Sequence, residues 1–186
     1  MAEKVTKRAG RSQLATVADG LTAVRFVLAI VIAAVLGLAD GLTLATVLLC
    51  VAWITDYADG TLARRSTAAT VLGAWDPIAD ATVGLGLFVG LAIAGRIALF
   101  PWVLLAAVLM AAFLVTRNLS LGMVLQAVAY GLLIVELAAD APGGLWMLGT
   151  TAAIIGIADG RRFAEVVLPT FLSGLGLSRR PPQAGD

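Results

Sequence analysis

The chain has 186 residues, 60% of them hydrophobic and 13% charged, with a mean hydropathy of +0.98 and a net charge of +1. A soluble domain carries about 45–50% apolar and about 25% charged residues, so this composition excludes a polar-surfaced globule and points to a polytopic membrane protein. Histidine is absent and Cys50 is the single cysteine, which excludes a Ser-His-Asp triad, a Cys-His pair, imidazole-bound metal, an internal disulfide framework and a Cys-rich zinc site.

Residues 1–20 are polar and basic and read as a cytoplasmic N-terminal arm. Six apolar stretches follow, each near the ~20 residues that cross a bilayer. They run over residues 21–39, closed by Asp40-Gly41; 42–63, closed by Arg64-Arg65; 71–94, closed by Gly95-Arg96; and 97–116, closed by Arg117-Asn118. The fifth covers 119–139 before the turn at Asp140 to Gly144, and the sixth begins near Leu145 and meets charge at Asp159, Arg161 and Arg162. This sixth stretch has the shortest uncharged core. Residues 21–160 are thus expected to form a six-helix transmembrane domain, and 161–186 a cytoplasmic C-terminal segment with a solvated Arg179-Arg180-Pro181-Pro182 tail.

Charge asymmetry orients the spans. With the N-terminus in the cytoplasm, twelve of the thirteen basic residues fall inside and only Arg96 falls outside, as the positive-inside rule requires. The expectation is an all-α protein of the cell membrane with six transmembrane helices and both termini cytoplasmic. The polar lead is long and no A-x-A-like site follows it, so the first span reads as uncleaved. Arg25, one turn inside that span, reads as snorkelling to the interface. Glu136 reads as interfacial, and Gly86 with Gly90 forms a G-x-x-x-G suited to packing against a second protomer. Nucleic acid has no basis as a partner at this net charge; membrane lipids are the surroundings.

Carboxylates inside a membrane are expensive and mark function by default. Four of the twelve acidic residues gather between positions 56 and 80. Asp56, Asp59, Gly60, Ala63 and Arg64 share one helical face, and Asp76 and Asp80, four apart, share a face of the next helix. A cytoplasmic turn joins the two helices, so both acidic faces meet near the inner surface. Four such groups repel one another and need compensation. Two hard divalent cations, Mg²⁺ or Mn²⁺, suit an all-oxygen site that also takes a diphosphate. Arg64 adds a fork for phosphate, and Gly60 and Ala63 leave room beside the acids. The bland reading pairs these acids with Arg64 and Arg65 as a structural network. A membrane ion or metal transporter is the alternative function, although it predicts acids spread over bilayer depth rather than gathered at one face.

The order D-x-x-D-G-x-x-A-R, then glycine, then D-x-x-x-D resembles the signature of the CDP-alcohol phosphotransferase family, nearest in wording to its phosphatidylglycerophosphate and cardiolipin synthases. Asp56, Asp59, Gly60, Ala63 and Arg64 fill the first half, and Gly73, Asp76 and Asp80 the second. Leu21-Thr22 followed by Arg25 is similar to the L-T-x-x-R that opens the first helix in many members. The resemblance implies a homodimeric enzyme of phospholipid biosynthesis with its active site near the cytoplasmic face. Such an enzyme transfers a phosphatidyl or related group from a CDP-linked donor such as CDP-diacylglycerol to an alcohol acceptor and releases CMP. Asp56, Asp59, Asp76 and Asp80 are then the dimetal ligands and Asp80 the catalytic base. Gly60, Ala63, Arg64 and Gly73 line the nucleotide pocket, with Arg117 a weak acceptor contact. The chain departs from the pattern in three places. Two residues rather than three separate Gly73 from Asp76, Ala81 stands where a lysine is common, and the basic segment ahead of the fifth span is reduced to Arg117, with Gln126 nearby.

Overall fold

The computed structural model describes residues 2–66 and 71–177, apart from the side chains of 2–12 and of Arg65. The Arg179–Pro182 tail lies outside the described residues. Every regular element described is helical: α1 (Ala2–Val35), α2 (Gly41–Arg65), α3 (Asp76–Ile93), α4 (Leu99–Thr116), α5 (Leu119–Asp140), α6 (Pro142–Arg162) and the short α7 (Leu168–Gly174). A 3-10 turn at Gly73–Trp75 leads into α3, and a π-helical turn at Phe163–Val167 joins α6 to α7. The all-α, multi-pass expectation holds. Five segments are long and apolar enough to cross a membrane: Gln13–Val35, Gly41–Arg64, Gly73–Ile93, Leu99–Thr116 and Leu119–Asp140. Helix α6, with 21 residues, is long enough, but its glycines and threonines and the charges at its end leave it outside that set.

The first helix differs from expectation. Polarity changes near residue 21, yet the helix begins at Ala2 and runs unbroken for 34 residues, because the stretch ahead of the apolar run contains no proline. At 1.5 Å per residue it is about 51 Å long, well beyond the ~30 Å hydrocarbon layer. The C-terminal segment also folds back rather than leaving the bundle. Asn118 donates from Nδ2 to the Gly174 carbonyl (3.0 Å) and Ser120 donates from Oγ to the Phe171 carbonyl (3.0 Å), which fasten α7 to the start of α5.

Helix α3 is the most buried of the spans and touches α1, α4 and α5, while α2 lies between α1 and α6. Close approach of α1 and α3 depends on two missing side chains. A Cβ on Gly86 would run into the carbonyl of Ala29, and one on Gly90 would stand 2.9 Å from the Cα of Ala33. The G-x-x-x-G pair is therefore spent inside the protomer, not on a second copy. The contact sets α1 one turn from Arg25 against α3 one turn and a half from Asp80. At the opposite end, Arg96 bridges to Glu136 (3.1 Å) and to Asp140. These hydrogen bonds hold its guanidinium above its ordinary pKa. Glu136 is thus a partner in an ion pair tying the α3–α4 corner to α5.

Candidate active site

The spacing read from sequence does what helical geometry requires. Asp56 and Asp59 project from the last three turns of α2, and Asp76 and Asp80 from the first two turns of α3. Their charges converge on Arg25 of α1. One guanidinium nitrogen, Nη1, donates to Asp56 (2.8 Å) and Asp80, and the other, Nη2, donates to Asp59 and Asp76. Arg25 is 1% exposed and Asp59 is buried with it, whereas the Asp56 side chain is 47% exposed and opens toward the cavity. Thr22, one turn before Arg25, lies between Asp59 (3.4 Å) and Asp76 (3.3 Å) and donates its hydroxyl to the Ala18 carbonyl.

Arg25 therefore does not snorkel. Reaching water would leave four carboxylates facing one another, and a guanidinium in a membrane is far better satisfied by acids than by a longer path to the interface. Nor do the acids take Arg64 as their cation. Arg64 is exposed, donates to the Thr61 hydroxyl (3.2 Å), and lies over Gly60, where a Cβ would stand 3.3 Å from its Nη1. One positive charge cannot balance four ionised carboxylates; with all four ionised, the cluster has a deficit of three charges.

Asp56, Asp59 and Asp76 each present a carboxylate oxygen, and these oxygens lie within 4.8 Å of one another. Asp80 stands outside that trio. The donor set is oxygen throughout, as hard divalent cations prefer, so the residues fit a metal whose charge would make up the deficit.

Among the described residues, three cavities border the acids. A small one, about 40 Å³, is lined by Asp19, Thr22, Asp59, Gly60, Ala63, Gly73 and Asp76 together with Ala18. It unites the three small residues expected around a nucleotide. The missing residue between Gly73 and Asp76 is absorbed because Gly73–Trp75 turn as a 3-10 helix, closed by the Trp75 N–H on the Leu72 carbonyl (2.8 Å), ahead of Pro77 in the first turn of α3. Asp19 supports this segment from α1, accepting the backbone N–H groups of Val71 (3.0 Å) and Leu72 (2.8 Å).

The largest of the three, about 670 Å³, opens beside Asp56, Asp76 and Asp80 and is walled by α2, α3, α4, α5, α6 and the π-helical turn. Its polar lining outside the cluster is Gln126, Asp159 and Arg162, the last two paired at 3.2 Å. An inner pocket of about 180 Å³ continues from Asp80 past Gln126 to Trp53 and Tyr130, whose rings meet edge to face with centroids 5.4 Å apart. Arg117 is not brought to either space. It caps α4 in a left-handed conformation, φ 55°, and lines a separate cavity with Asn118, Ser120, Thr170 and Ser173.

Sequence reasoning missed Asp19, Thr22, Asp159 and Arg162 as site neighbours. Arg161 and Arg162 read as orientation signals, and nothing in their spacing separates the two. In the fold, Arg162 turns to the cavity while Arg161 pairs with Glu165 in solvent. For Arg25 the signal was only general: an arginine inside a membrane helix needs counter-charges, but its position does not say which acids supply them.

No curated protein and no solved structure matches the chain. Residues 15–158 match the family described as CDP-alcohol phosphatidyltransferase, a range that holds all four aspartates, Arg25, and both glycines of the α1–α3 contact. The protein belongs to the CDP-alcohol phosphatidyltransferase family, whose members transfer a phospho-alcohol group from a CDP-alcohol.

Proposed function

We propose that this protein transfers a phosphatidyl group from CDP-diacylglycerol, or a closely related CDP-linked lipid, to an acceptor alcohol and releases CMP. The observation that carries this reading is the acid cluster: four carboxylates around one guanidinium, beside a cavity of about 670 Å³. Asp56, Asp59, Asp76 and Asp80 would hold two divalent cations, Mg²⁺ or Mn²⁺, which when bound neutralise the donor diphosphate. Gly60, Ala63 and Gly73 leave the cytidine side of the donor room against the backbone, and Arg64 above Gly60 offers a cation to it. Arg25 fixes the four carboxylates relative to one another, so that α1, α2 and α3 present them as one rigid set.

Asp80 is the base. It stands outside the trio of Asp56, Asp59 and Asp76 and borders both the large cavity and the inner pocket. The acceptor oxygen forms a bond to the phosphorus that bears the lipid, its proton passes to the Asp80 carboxylate, and the bridging oxygen leaves with its electron pair on CMP. Such a displacement asks for positioning and charge neutralisation rather than a covalent nucleophile, which agrees with the absence of histidine. An end-of-helix site lets the lipid keep its chains in the bilayer. The excess of basic residues at that end supports a cytoplasmic orientation in the cell membrane, with α6 completing a sixth crossing.

The direct test incubates the purified protein with CDP-diacylglycerol, Mg²⁺ or Mn²⁺ and a panel of alcohols. Metal-dependent CMP release is expected. No release with any acceptor, together with no metal-dependent binding of the donor, would sink the reading.

A further inference from the structure

We infer that the acceptor alcohol carries no phosphomonoester, and that Asp159 is the residue that sets this preference. The inference rests on the transferase reading and deepens it. Among the described residues, the cations bordering the two connected cavities are Arg25 and Arg162. Arg25 is sealed at 1% exposure and divided among four carboxylates. Arg162 already has an anion, Asp159, one helical turn before it on α6. Each positive charge on the walls is thus already opposed by at least one carboxylate.

The remaining charges agree. Two divalent cations would slightly exceed the three-charge deficit of the acid cluster, and the two negative charges of a donor diphosphate would more than consume that excess. A phosphomonoester on the acceptor would bring up to two further negative charges into a space where the Asp159–Arg162 pair adds no net charge to offset them. Juxtaposed like charges in a partly desolvated site cost several kcal/mol, enough to exclude that class of substrate.

What the walls do offer suits hydroxyl groups. Gln126 on α5 borders both cavities beside Asp80, and its amide both donates and accepts. Phe113, Met123, Ile155 and Phe163 supply apolar surface around it. The hydroxyl that reacts is placed between Gln126 and Asp80, and the body of the acceptor lies against apolar wall. A water-soluble polyol and a lipid alcohol share that chemistry, and the test separates them.

The full-length protein is supplied with CDP-diacylglycerol and Mg²⁺, and CMP release is compared for glycerol against glycerol 3-phosphate, and for inositol against inositol phosphate, with diacylglycerol as the lipid alcohol. The unphosphorylated member of a pair, or diacylglycerol, is expected to exceed every phosphorylated acceptor at least about tenfold in kcat/KM. In Asp159→Asn, which frees Arg162, the ratio should move about tenfold toward the phosphorylated acceptor. Efficient turnover of a phosphorylated acceptor by the unaltered protein overturns this inference while upholding the transferase reading. An unchanged ratio in Asp159→Asn overturns the role of Asp159. Absence of CMP with every acceptor overturns this inference, and, together with no metal-dependent binding of the donor, the transferase reading as well.

Discussion

Gly86 of α3 lies directly on the carbonyl of Ala29 in α1, with no room for a Cβ between them. The relationship is mechanical. Ala29 is one turn from Arg25, and Gly86 is on the same helix as Asp76 and Asp80, so the separation of the two backbones at this point determines whether the guanidinium reaches its acids.

Gly86→Ala should therefore lower thermal stability by roughly 1–3 kcal/mol, the usual cost of forcing atoms into a packed interior, and should reduce activity further than stability alone explains. Gly131→Ala is the matched comparison, because a Cβ there meets nothing within 4 Å. Thermal unfolding of both variants in detergent checks this; equal behaviour of the two would show that the α1–α3 contact does not govern the site.

Arg25→Ala removes the one cation shared by four buried or half-buried carboxylates. A loss of about 3–5 kcal/mol is expected for breaking a buried ion cluster from one side. Added Mg²⁺ should restore more stability to the variant than to the unaltered protein, since the deficit it can fill has grown. A melting temperature in the variant that ignores Mg²⁺ would count against a metal site among these acids.

Asp80→Asn and Asp56→Asn should separate chemistry from binding. The first is expected to cut kcat by about 10²–10⁴-fold, the range of a lost general base, while donor binding stays close to normal. The second should weaken both metal-dependent donor binding and turnover. Binding of a CDP-lipid followed beside CMP release distinguishes them, and normal turnover in Asp80→Asn would remove that residue as the base.

Asp19→Ala deletes the acceptor for two backbone N–H groups ahead of the 3-10 turn that carries Gly73. By analogy with loss of a helix cap, the cost is about 0.5–2 kcal/mol. The informative readout is kinetic: KM for the CDP-linked donor should rise several-fold with little change in kcat, and Asp19→Asn, which keeps an acceptor oxygen, should recover part of it.

Much of this molecule is legible in one dimension because membrane helices announce themselves by composition and their faces by spacing. The four aspartates, Gly60 and Ala63 were found that way and Gly73 through the family resemblance, and the fold brings them together. What spacing alone does not carry is partnership across helices. Nothing near Arg25 in sequence indicates that residues 31 to 55 positions later will surround it. Gly86 and Gly90 carry the same small-residue pattern whether they face a sister helix or a second chain. Arg162 and Arg161 are chemically identical neighbours, and only the course of α6 sends one to the cavity. The start of α1 was missed for a different reason: a change from polar to apolar marks where the bilayer begins, while the helix itself stops only where a breaker stands.

The arrangement around Arg25 also bears on how the protein is made. An arginine in the interior of the α1 span is costly to leave in hydrocarbon, and the same holds for the acids on α2 and α3. None of the three can settle alone. Each satisfies its charge only when the other two have arrived, so the first three helices must consolidate as a single cooperative unit after they have all been synthesised. A truncated product ending after α1 or α2 would be left with unmatched charge in the lipid, and would present itself to membrane quality control as unfinished.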